Sequence, residues 1–145
     1  MKVVILAGGK GSRIFEFTKK IPKPMIKISK KTILEHIIFI YSKQSFKDFY
    51  ILTGYKGNII RKYFDKFKLK KNLYKLKNLN QKIRINFIST GINTMTGGRI
   101  KLLSKIIKSE NFMMTYGDGL ANVDLKKLKK FHLQHKKIAT VTAVR

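Results

Sequence analysis

The chain contains no cysteine and no tryptophan, and only 2 of its 145 residues are proline. It also carries few acids: Asp and Glu together number 7, against 33 Lys and Arg. The lack of cysteine excludes a disulfide framework and a thiolate zinc site. It suits a reducing compartment, and a cytoplasmic location is expected. No apolar run approaches the ~20 residues that a membrane-spanning helix needs, so no membrane partner is expected. The opening "MKVVILA" is too short for a signal-peptide core and runs straight into "GGKGSR". No Ser-His or Cys-His pairing suggests covalent catalysis. The two prolines, Pro22 and Pro24, stand in "IPKPM" and exclude a helix there.

The net charge of +26 raises the alternative of a nucleic-acid partner. Arginine occurs only at Arg13, Arg61, Arg84, Arg99 and Arg145. Every other basic residue of the 33 is lysine, and isoleucine is abundant as well. That is the bias of an AT-rich coding sequence. The lysines are dispersed apart from residues 66–82, so most are expected to be solvated surface.

What the chain does have is an alternation of strand and helix signals. "KVVILA" is a continuous apolar run, as in a parallel strand buried on both faces. Thr32 and Glu35 form a T-x-x-E capping box. It opens a helix through about Lys43, with Ile33, Ile37, Ile40 and Tyr41 expected on its apolar face. Residues 48–53 are a second core strand. Gly54 and Gly57 punctuate a turn, and Asn58 is the expected cap of a helix bearing Ile59, Ile60, Tyr63, Phe64 and Phe67. Residues 66–82 lack a clean period and are expected to be a loop or a ragged helix. "KIRINFIS" alternates like a strand. "RIKLLSKIIK" is expected to turn Ile100, Leu103, Ile106 and Ile107 inward. "NFMMTY" is a further buried strand, Asp124 caps a helix to about Lys136, and "IATVTAV" is a last strand. The pattern predicts an α/β fold of three layers, a mostly parallel sheet with helices on both faces.

Ligands of such sheets bind at the carboxyl ends of the strands, and two glycine-bearing turns fall there. "LAGGKGSR" is neither a Walker A loop nor a G-x-G-x-x-G fingerprint. Gly8, Gly9 and Gly11 nevertheless offer backbone N–H groups beside Lys10, Ser12 and Arg13, a set suited to phosphate oxygens. Lys23 sits between the two prolines on a segment expected to be stiff and extended, so fixing it against an anion costs little entropy. In "YGDG", Asp118 lies just past a strand between Gly117 and Gly119. A carboxylate there, near a phosphate loop, is a natural Mg²⁺ ligand. His132 and His135 share a helix at i, i+3 in a lysine-rich stretch, and a metal role for them is not expected.

In this order "LAGGKGSR", "PKPM", "TMTGGR" and "TYGDG" resemble the sugar-phosphate nucleotidyltransferases. "GYKGNIIRKYF", "TGINTMTGGR" and "FMMTYGDGLANVDLKKLKKFHLQHKK" are similar to the glucose-1-phosphate cytidylyltransferase branch. The resemblance departs at Ser12, where threonine is usual, and in the shorter lysine-rich segment. It implies a Rossmann-like nucleotidyltransferase fold, with CTP and glucose 1-phosphate as substrates and Mg²⁺ as cofactor. It further implies that Leu6, Ala7, Gly8, Gly9 and Lys10 line the base and ribose of CTP. Gly11, Ser12 and Arg13 would hold the triphosphate. Lys23 would stabilise charge at the reacting phosphorus, with Arg13, Lys23 and Asp118 as the catalytic set. Thr94, Arg99 and Gly117 would contact the nucleotide, and Asp118 would bind the metal. Residues 1–145 then correspond to the N-terminal, nucleotide-binding portion. The sugar-binding portion is expected to be absent, and so is a second metal-binding aspartate. A homo-oligomer or a complementary C-terminal chain are the partners this leaves open. CTP–Mg²⁺ binding with little or no turnover is the behaviour expected of the isolated chain.

Overall fold

The computed structural model describes residues 1–11, 18–108 and 111–143. Its centre is β1 (Lys2–Ala7), flanked in parallel by β4 (Asp48–Thr53) and β8 (Phe112–Tyr116). β7 (Ile83–Ser89) lies parallel on the far side of β4. β5 (Lys68–Lys70) and β6 (Leu73–Tyr74) complete the order β5-β6-β7-β4-β1-β8 as antiparallel additions. The register pairs Ala7 with Thr53, Thr53 with Ser89 and Leu6 with Tyr116. The carboxyl ends of four parallel strands therefore finish at one level, and the loops leaving them share one edge.

Helices cover both faces. Val3, Ile5 and Ala7 of β1 pack with Phe49, Ile51 and Ile85 against α1 (Ile33–Lys43), α2 (Gly57–Asp65) and Leu125 of α4 (Leu125–His135). Val4, Leu6 and Leu52 face the other way and pack against Leu103 and Ile107 of α3 (Thr96–Ile107). Burial of both faces explains why β1 reads as an unbroken apolar run. β2 (Lys27–Ile28) and β3 (Lys31–Thr32) form a separate antiparallel ribbon before α1.

Several local expectations hold. The capping box at Thr32 is complete: Glu35 N–H donates to Thr32 Oγ1 at 3.1 Å, and Thr32 N–H donates to Glu35 Oε2 at 2.7 Å. Asp124 accepts from the amides of Lys126 and Lys127 and starts α4.

Others are corrected. Ile33, Leu34, Ile37 and Ile38 make the buried stripe of α1, and Ile40 and Tyr41 sit half-buried at its margin. α2 begins one residue before Asn58; its cap is Lys56 at φ 50, with no side-chain cap. The i, i+4, i+8 row of α3 is Arg99, Leu103 and Ile107, while Ile106 is exposed. β8 is the edge of the described sheet, and Phe112, Met114 and Tyr116 are exposed while Met113 is buried. Residues 66–82 supply β5 and β6 because the open side of β7 offers a ladder to pair with. Residues 138–143 form no strand, and Ile138 and Val141 are exposed. His132 and His135 both approach Thr140 Oγ1, at 2.9 and 2.6 Å. No helix among the described residues is long and apolar enough to cross a membrane.

Candidate functional site

The turns after β1 and β8 meet. Gly117 N–H donates to Leu6 O at 2.9 Å. A Cβ at Gly117 would lie 3.0 Å from Pro24 Cγ and 3.1 Å from Leu6 O. Three segments thus converge at a point where a side chain would be tightly crowded. Pro22 is extended, but Lys23 opens a single 3₁₀ turn, Lys23–Met25, rather than continuing an extended segment. Pro24 is compatible with that turn because a first-turn residue needs no N–H donor. Burial of Pro24 and Met25 pins the base of Lys23. Its ammonium lies 2.7 Å from Asp118 Oδ2, and each side chain remains about one-third exposed, at 35% and 34%.

Around this pair is a cleft of about 260 Å³. Leu6, Ala7, Gly8, Gly9, Gly11, Lys23, Thr94, Arg99, Gly117 and Asp118 line it, joined by Pro24, Met95, Thr96 and Tyr116. All but four of these were expected from the sequence. Lys10 is exposed and does not line the cleft. Ser12 and Arg13 lie outside the described residues, and their expected contacts with phosphate are not described. Tyr116 escaped the sequence reading although it directly precedes Gly117; a tyrosine ending an apolar strand reads as core until the strand proves to be an edge.

The glycines of the first turn serve different ends. Gly11 adopts φ +66, a conformation that glycine takes at no steric cost. A Cβ on Gly8 would fall 2.1 Å from Arg99 Nη1. At Gly9, no described residue outside its chain neighbours lies within 4 Å of where a Cβ would stand.

Arg99 explains the crowding at Gly8. It is 5% exposed, at the base of the cleft. Its Nη2 donates to Gly8 O at 3.0 Å, and its Nη1 donates to Thr53 O at 3.3 Å and to Thr90 Oγ1. The guanidinium is turned to the protein's own acceptors at the ends of β1 and β4 and just past β7. The sequence reading expected it to face a nucleotide. Among the described residues no carboxylate pairs with it, and burial pulls its pKa below the usual arginine value. Buried Thr53 and Thr90 are structural parts of the site that the sequence reading missed.

α3 begins at the cleft rim with Thr96, and no side chain caps its first-turn amides. Those amides and the positive end of the helix face a region suited to anions. The arrangement thus gathers backbone donors, a lysine and one carboxylate in a space that fits a phosphate-bearing ligand. A larger cavity of about 620 Å³ opens at the opposite, amino-terminal ends of the strands, between α1, α4 and β4. It lacks glycine turns, and Asp48 is its only carboxylate.

The sequence as a whole agrees with that chemistry. The profile of the nucleotidyl transferase family matches residues 2–145. The chain is 41% identical over 153 residues to the probable glucose-1-phosphate cytidylyltransferase of Bacillus subtilis, covering 99% of this chain and 60% of that protein. It is likewise 41% identical over 154 residues to the glucose-1-phosphate cytidylyltransferase of Salmonella typhimurium, with the same coverage. Among solved structures, HddC from Yersinia pseudotuberculosis complexed with GMP-PN superposes with a TM-score of 0.72 at 30% identity, over 91% of this chain and 54% of that one. The chain therefore spans about three-fifths of the length of the curated relatives it matches. On the family profile and on identity across nearly its whole length, this chain belongs to the nucleotidyl transferase family.

Proposed function

We propose that the cleft takes the triphosphate of CTP and serves cytidylyl transfer to glucose 1-phosphate, giving CDP-glucose and pyrophosphate. One observation carries this reading: the glycine turn after β1 and the carboxylate turn after β8 sit on adjacent parallel strands, bridged by the 2.7 Å Lys23–Asp118 pair. Phosphate oxygens and their counter-ion would then share one small volume. Sugar-phosphate nucleotidyl transfer as a class rests on family membership. CTP and glucose 1-phosphate in particular rest on the names of the 41%-identical relatives.

In-line displacement at a phosphorus needs alignment and charge neutralisation more than a covalent nucleophile. The chain's residues divide that task. Backbone amides at Gly9 and at the start of α3 hold phosphate oxygens. Lys23 leaves Asp118 and neutralises charge near the reacting phosphorus. Asp118, released in the exchange, becomes available to a divalent cation. A single carboxylate fits Mg²⁺, which is commonly held by one or two carboxylates together with substrate phosphates and water. When bound, Mg²⁺ would supply charge neutralisation on the phosphate oxygens.

A second reading is a nucleotide-binding module without turnover. Among the described residues Asp118 is the only carboxylate at the cleft, which favours it. Calorimetric titration of CTP, dTTP, UTP and GTP with Mg²⁺, run beside a pyrophosphate-release assay with glucose 1-phosphate, separates the two. Preference for CTP with release supports the transferase, and CTP binding without release supports the module. Failure of all four nucleotides to bind would sink both.

A further inference from the structure

Arg99 is an anomaly in a site read as phosphate-binding. A buried cation is costly unless paired, yet its described partners are neutral oxygens. Those partners are not scattered. Gly8 O accepts from Arg99 Nη2 at 3.0 Å and from Tyr55 N–H at 3.1 Å, so two donors fix its direction. Gly8 O and Gly9 N–H belong to the same peptide unit. No cis peptide occurs among the described residues, and in a trans peptide the C=O and N–H point in opposite directions. The Gly9 N–H therefore points away from the buried guanidinium, on the side of the cleft that Gly8 and Gly9 line. Among the described residues no acceptor takes it. Among the described residues nothing within 4 Å occupies the space a Gly9 side chain would need. A cation on the carbonyl of a peptide also polarises that peptide and makes its N–H a stronger donor.

We propose that Arg99 is a positioning residue for anion capture: it locks and polarises the Gly8–Gly9 peptide so that the Gly9 N–H stands as a preformed donor to a phosphate oxygen. This rests on the proposed function only in taking the cleft's ligand to be a phosphate. Arg99 reaches that ligand through the backbone. Its demand for space also explains Gly8, where a Cβ would lie 2.1 Å from Nη1. Lysine cannot replace it, because one ammonium on a flexible stem cannot fork to acceptors from three strand ends.

The test uses inorganic pyrophosphate as probe and ¹H–¹⁵N spectra of the whole chain. In the unaltered protein the Gly9 amide proton shifts downfield on saturation with pyrophosphate. In Arg99→Lys the Gly9 amide of the ligand-free protein moves upfield, and pyrophosphate affinity falls roughly tenfold, the scale of one charge-assisted hydrogen bond. A purely structural role would leave the Gly9 amide frequency where it was. The proposal is overturned if pyrophosphate leaves the Gly9 amide of the unaltered protein unmoved, a result that needs no variant to fold. It is equally overturned if folded Arg99→Lys keeps full affinity. Pyrophosphate binding through Gly9 without any nucleoside triphosphate binding would sink the proposed function and leave Arg99's role standing.

Discussion

At the scale of single residues, three glycines that look alike in sequence differ in consequence. Gly8→Ala drives a methyl into the Arg99 guanidinium and should destabilise the fold by about 1–3 kcal/mol, the usual cost of overpacking. Gly9→Ala meets no described residue and should leave stability within about 0.5 kcal/mol of the parent, while weakening nucleotide binding. Thermal unfolding beside calorimetric titration of CTP reads both, and the opposite ranking in stability would refute the assignment of Arg99's position. Lys23 yields a prediction of unusual sign. It occupies the carboxylate of Asp118, so Lys23→Gln should raise the affinity for a divalent cation alone while lowering that for CTP. Paramagnetic titration with Mn²⁺ measures the first effect. An unchanged Mn²⁺ affinity would count against Asp118 as the metal ligand.

At the scale of elements, the start of α1 is more than a cap. Tyr63 of α2 donates to Glu35 Oε2 at 2.7 Å, so the capping carboxylate also ties two helices together. Tyr63→Phe should cost about 1.5–3 kcal/mol in denaturant unfolding, the value of a hydrogen bond to a charged group. Burial first, and the Glu35 carboxylate second, raise the Tyr63 pKa above its ordinary 10.0. The protonated hydroxyl is the favoured form, so its contribution is full below about pH 10 and shrinks as the unfolded chain ionises first. The stability gap between parent and Tyr63→Phe should therefore stay flat from pH 6 to 9 and narrow only above about pH 10. On the sheet edge, Lys68 and Lys70 of β5 are exposed, and charged side chains on an edge strand hinder pairing with another chain. Replacing both with valine should produce concentration-dependent association in sedimentation velocity.

At the scale of the whole molecule, charge is the dominant property. The +26 excess is spread over the surface, with one concentration around the larger cavity, where Lys2, Lys47, Arg84, Lys126 and Lys129 face one carboxylate. Coulomb attraction of that kind is not selective. Any affinity for duplex DNA should fall by about a thousandfold or more between 50 and 200 mM salt, with no sequence preference. CTP binding in the cleft should fall by a far smaller factor, because fixed amides contribute beside net charge. Fluorescence anisotropy at a series of salt concentrations compares the two. Equal slopes would favour a general polyanion binder over a nucleotide site.

What the sequence determined by itself is whatever short-range pattern encodes. The continuous apolar run of β1, the Thr32–Glu35 box and the Asp124 cap depend on neighbours within a few positions, and each was legible. So were the two glycine turns at strand tips, because parallel strands leave one common edge for their loops. What only the tertiary structure decided involves partners far apart in the chain. β5 and β6 exist because β7 offers them a ladder, whereas residues 138–143 join no sheet despite their apolar pattern. β8 exposes an apolar face because it happens to be an edge. Arg99 is the sharpest case: its spacing in the sequence marks a charged residue near a glycine loop. Only folding brings it beneath Gly8, 91 positions away, where its guanidinium donates to oxygens of Gly8, Thr53 and Thr90.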